Sequence, residues 1–215
     1  MAKTAYWSLE QRDEIEKMRT FALLLMVAWA STGCGSLRPP PKPGSPAGTS
    51  IRNNAYSLLF QLLDQEKDVS KILIIKRETT ELHQLIKNIS TVSGAGAGKL
   101  EQFAKADASL SLKNVDLPTG EVRTRAAISS ATTKELLATS GGKFELNLLL
   151  TQAEALNYGW HLAAVAAEND PTAERARYLK DLSGELKGLH ERVVAMIAQR
   201  RDAVPAGSKS GTPRK

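Results

Sequence analysis

Apolar residues recur three and four positions apart over most of the chain after Asn54, and no alternating strand pattern persists. The first stripe, Leu59, Leu62, Leu63, Val69, Ile72, Leu73, Leu82, Leu85, Ile86, Ile89 and Val92, predicts one long amphipathic helix over 54–92. Lys76 interrupts the stripe and is expected to snorkel to the rim of a bundle. Ser93–Gly98, SGAGAG, predicts the end of that helix, because glycine favours breaks and positive φ. A short helical piece at 99–106 and a polar connection over 107–116 follow. Leu117-Pro118 opens a further helix reaching Thr139, broken by Ser140-Gly141-Gly142. The segment 143–168 is the most hydrophobic helix, and Ala155, Gly159, Ala163 and Ala167 form a smooth ridge on it for close packing. Asn169-Asp170-Pro171 supplies a cap and a first-turn proline for the last helix. In it Leu179, Leu182, Leu186, Leu189, Val193 and Met196 form a coiled-coil-like seam. Residues 51–203 therefore predict an all-α, up-and-down four-helix bundle with a short extra helix.

The order Leu117-Pro118, Leu136-Leu137-x-x-Ser140-Gly141-x-x-Phe144-Glu145, Asp170-Pro171 and a final helix with His190 resembles a family of exported ferritin-like bundles of unassigned function. The resemblance spans roughly residues 60–197 and implies a ferritin-like fold. Di-iron sites in such bundles use Glu-x-x-His on two helices, and no Glu-x-x-His occurs in this chain. His83, Glu154, His161 and His190 remain as candidate ligands for a single metal, provided all point inward. Histidines flanking an apolar stripe are more often rim or hydrogen-bonded residues. The expectation is accordingly no cofactor, with a ferritin-like metal-binding or redox protein as the alternative.

Upstream of the bundle the pattern changes. Arg19 supplies a positive charge, 21–30 carry none, and Ser31-Thr32-Gly33 precede Cys34, the only cysteine of 215 residues. The apolar run is shorter than the roughly 20 residues that a spanning helix needs, so cleavage is expected rather than a retained span. Ser31-Thr32-Gly33-Cys34 resembles the signal of bacterial lipoproteins, which implies acylation of Cys34 after removal of 18–33. Gly35, where an aspartate would resemble an inner-membrane retention signal, implies the outer membrane, with the protein facing the periplasm. Residues 1–17 hold three bases against four acids, unlike a signal's net-positive leading region, so translation is expected to start at Met18. Five prolines between Gly35 and Ser50 predict that 34–50 is the lipidated cysteine plus an extended tether.

The net charge of +6 owes +4 to residues 200–215, where Arg200, Arg201, Lys209, Arg214 and Lys215 face only Asp202. Residues 204–215 read as a disordered basic tail suited to anionic lipid or polymer. No basic face with interleaved aromatics points to nucleic acid. SGAGAGKL lacks the leading glycine, the hydroxyl residue and the preceding strand of a phosphate-binding loop. No nucleophile elbow, zinc-finger spacing or metalloprotease helix occurs. The sequence thus predicts a membrane-anchored envelope lipoprotein whose bundle binds or scaffolds, with an envelope protein as partner, and does not catalyse.

Overall fold

The computed structural model describes residues 42–76, 78–113 and 117–202, the side chains up to Arg200. Residues 1–17, the signal 18–33, Cys34 and the tail 204–215 lie outside the described residues. The described chain is all-helical. The helices are α1 (Pro46–Glu66), a 3-10 helix (Val69–Ile74), α2 (Thr80–Ala106), α3 (Thr119–Ala138), α4 (Gly141–Asn169) and α5 (Ala173–Asp202).

Four of these build the core. Apart from Leu110, every buried apolar side chain comes from α1, α2, α4 or α5. The seam of α5 is buried from Leu179 to Val193, with Met196 packed at its edge. On α4, Gly159, Ala163 and Ala167 are buried as the ridge requires, and a Cβ on Gly159 would lie 3.0 Å from Leu62 Cδ2 and 3.4 Å from Leu186 Cδ1. At Gly159, therefore, leucines of both α1 and α5 pack directly on the α4 backbone.

Hydrogen bonds between helix ends fix the directions. Arg52 near the start of α1 donates to Ser109 beyond the end of α2, so those helices are antiparallel. Tyr56 of α1 reaches Asp170 at the end of α4, and Arg200 at the end of α5 reaches Glu145 at the start of α4. Thr79 before α2 donates its N–H to that same Glu145, so α2 and α4 run the same way. Between them α3 runs back along α4, with Arg125 at Tyr158 and Glu135 at Asn147. Successive helices therefore alternate in direction.

Several expectations need correction. The helix predicted over 54–92 is two helices separated by the 3-10 segment. Continuous, its 39 residues would be about 58 Å long, against about 43 Å for α4. Folding back at 67–79 instead buries Leu82, Leu85, Ile86 and Ile89 against the other helices. The predicted break at Ser93–Gly98 is the interior of α2, which runs on through 99–106 without interruption. Here packing overrides propensity, because a Cβ on Gly96 would sit 2.9 Å from Leu63 Cδ1 and 3.5 Å from Leu182 Cδ1. The tether is not extended to residue 50, since α1 begins at Pro46, with Ser45 Oγ accepting from the Gly48 N–H at 3.1 Å. Finally, the extra helix is α3 rather than 99–106, and no residue of α3 is buried.

The cap at Asn169-Asp170-Pro171 is shifted as well. Asp170 ends α4, accepts from the Thr172 N–H at 2.8 Å, and α5 begins only at Ala173.

Candidate functional site

Networks of paired polar side chains tie both ends of the bundle. At one end the Tyr56 hydroxyl donates to Asp170 Oδ2 at 2.6 Å, and Arg175 Nε donates to the same oxygen at 2.9 Å. Arg175 Nη1 donates to Asp107 Oδ2 at 2.8 Å, so one guanidinium ties the α2 terminus to the α4–α5 turn. Burial alone would raise the Asp170 carboxyl, but the bonds from Arg175, Tyr56 and the Thr172 N–H outweigh it and hold it below the usual carboxylate range. Burial and then the Asp170 carboxylate push the Tyr56 hydroxyl well above the ordinary tyrosine value. Asp107 is held low first by the Ser109 hydroxyl, then by the Ser109 N–H and Arg175. Tyr56 and Asp170 are buried and satisfied, an arrangement that staples helix ends and leaves no group poised to exchange a proton.

At the opposite end Glu145 Oε1 accepts from the Thr79 N–H at 2.7 Å and Glu145 Oε2 pairs with Arg200 Nη2 at 2.9 Å. Lys76 Nζ donates to the carbonyls of Leu137 and Thr139, each at 2.7 Å, and lies 5.6 Å from the Phe144 ring centroid. The expected rim lysine thus closes the carboxyl end of α3, where a cation is favoured.

The third feature is a cleft of about 730 Å³ between α1, α3 and α4. Leu58 and Leu62 of α1 and Val122 and Ala126 of α3 line it, together with Lys113 and Arg125. Arg125 is positioned there by Nε donating to Glu121 Oε1 at 2.7 Å and Nη1 to the Tyr158 hydroxyl at 3.1 Å. Among the described residues that line the cleft are these two cations and no carboxylate. Along α3, Val122 and Ile128 are 49% and 61% exposed, so this helix leaves apolar surface to solvent that a core helix would bury.

The candidate metal ligands are not brought together. His83 is exposed and its Nδ1 is 2.7 Å from Glu78 Oε1. Glu154 and His161 are both exposed, and His161 stacks on Trp160 with ring centroids 3.3 Å apart. His190 is half-buried on α5. Among the described residues no group of three or more His, Cys, Asp or Glu side chains is placed to hold a metal ion. The inward orientation that the metal reading required is absent because the α4 face bearing Glu154 and His161 lies opposite its buried ridge.

Nothing in the residue pattern announces the cleft, since α3 reads as one more helix of ordinary composition. Its weak stripe was the available signal: only Leu136 of α3 packs against the core, at half-burial. No helix among the described residues is long and apolar enough to cross a membrane. No family model, no curated protein and no solved structure matches the chain.

Proposed function

We propose that this protein is a bacterial cell-envelope lipoprotein, held at the membrane by acylated Cys34, whose helical bundle binds or scaffolds another molecule without catalysing a reaction. The anchor half of this reading is supported by the charge, apolar run, small residues and lone cysteine of Met18–Cys34, with the periplasmic face of the outer membrane as the location. The binding half is carried by one observation. α3 buries none of its residues and leaves a cleft against α1 and α4 where a core would otherwise close.

The finer fold reading is a ferritin-like four-helix bundle. Its support is the parallel run of α2 and α4, which obliges the chain to return the length of the bundle between them, as one long connection does in ferritin-like folds. The metal or redox role of such folds draws no support from His83, Glu154, His161 and His190, which point to separate surroundings.

Crosslinking in intact cells, followed by membrane fractionation, tests the proposal. The wild-type chain should sediment with membranes and crosslink to an envelope component, and Cys34→Ser should release it from the membrane fraction. Equal membrane association of the two chains would overturn the anchor.

A further inference from the structure

The helix α3 poses a problem of stability. Its twenty residues, TGEVRTRAAISSATTKELLA, include Gly120, Val122, Thr124, Ile128 and several serines and threonines, which are mediocre or poor helix formers. Isolated helices of such length are marginal in water, and helices in proteins take most of their stability from burying an apolar face. α3 buries none, and its apolar Val122 and Ala126 line the cleft together with Leu58 and Leu62. Whatever fills the cleft supplies the missing burial.

Size and charge choose the occupant. The cleft holds about 730 Å³. That volume falls within the range of about 300–1,000 Å³ common for small-molecule pockets. The lining mixes an apolar stretch, Leu58, Leu62, Val122 and Ala126, which suits an alkyl chain, with glutamine, serine and tyrosine side chains. Lys113, and the donors that Arg125 keeps beyond its pair with Glu121, with no carboxylate among the described lining residues, call for a negative head group. Arg125 uses two of its five N–H donors on Glu121 and Tyr158, so its fork is held in place with donors to spare.

We propose that the cleft between α1, α3 and α4 binds a single-chain anionic amphiphile, with the alkyl chain against Leu58, Leu62 and Val122 and a carboxylate or phosphate head at Lys113 and Arg125. This rests on the reading of the bundle as a binding module and names its ligand class.

The test titrates the full chain carrying Cys34→Ser, which has no acyl group of its own to compete, with decanoate, decyl phosphate and neutral decanol. Calorimetry reads the affinity and hydrogen exchange reads α3. At least one anion should bind one-to-one and at least ten-fold tighter than decanol, and α3 amides should exchange more slowly in its presence. Preference for decanoate would name a fatty acid as the source, and preference for decyl phosphate a phospholipid head. Ala126→Trp, which fills the cleft, and Lys113→Glu, which reverses the charge at that position, should each weaken binding at least ten-fold with helical circular dichroism unchanged. Equal binding of decanol and the anions would overturn the inference, as would full binding by both variants. Loss of amphiphile binding with membrane anchoring and crosslinking intact would sink this inference alone. Loss of the anchor with amphiphile binding intact would sink the envelope reading alone.

Discussion

Asp170 shows how much a single side chain can carry. One carboxylate accepts from Tyr56, Arg175 and the Thr172 backbone, joining α1, α4 and α5 at one point. Asp170→Asn takes the charged acceptor from Tyr56 and Arg175 and leaves Arg175 only its Asp107 partner, so it should cost about 1.5–3 kcal/mol in urea unfolding at neutral pH. The sign of its pH dependence follows from a folded pKa below the unfolded one. Its stabilisation is complete above the unfolded aspartate value and disappears as pH falls through the folded value. The difference between wild type and Asp170→Asn should therefore shrink below about pH 4. Glu66 behaves in the opposite way, because burial holds its carboxyl above the ordinary glutamate value, against the lowering hydrogen bond from Gln152. A raised carboxyl contributes most below its unfolded value and loses that contribution as pH rises through the folded one. Glu66→Gln should accordingly gain stability relative to wild type between acidic and neutral pH, and a constant difference across that window would contradict the assignment. Neither role could be read from the chain. Asp170 looked like a helix cap, and its partners Tyr56 and Arg175 become visible only when three helix ends meet.

Among the elements, α2 and α3 depart furthest from what their residues suggest. Glycine costs up to about 1 kcal/mol against alanine inside a helix, so SGAGAG reads as a terminus when taken alone. The structure keeps the helix because Gly96 lets α1 and α5 close in, whereas Gly98 has nothing within 4 Å of a Cβ. Gly98→Ala should stabilise the fold by about 0.5–1 kcal/mol. Gly96→Ala meets Leu63 and Leu182, and overpacking costs typically 1–3 kcal/mol, so it should end at least about 1 kcal/mol less stable than Gly98→Ala in thermal or urea unfolding. The α5 seam was legible because six apolar residues repeat without a miss, and the structure buries or half-buries all of them. Helix α3 is the converse. A proline at Ala127, in mid-helix, should abolish α3 yet leave the unfolding midpoint of the core nearly unchanged, since no buried residue lies on α3. In hydrogen exchange of the wild type, α3 should open first, while α4 and α5 open with the whole fold.

At the scale of the molecule, the helical class was legible from periodicity, and the grouping of helices was not. A stripe continuous from Leu59 to Val92 does not disclose that the chain turns back at 67–79, because both halves use the same three-and-four spacing. Nor does spacing tell which face of α4 looks inward; the buried ridge at Gly159, Ala163 and Ala167 decides it and leaves Glu154 and His161 in solvent. The cleft is a product of assembly, formed where a polar helix crosses two apolar ones. Its use depends on where the molecule works, and the proposed envelope location rests on acylation of Cys34. Intact-mass spectrometry of the chain extracted from bacterial membranes tests this most directly. The account predicts a mature chain starting at Cys34 and heavier than its residues by the mass of attached acyl groups. A chain that retains residues 18–33, or one whose mass shows an unmodified Cys34, would contradict it.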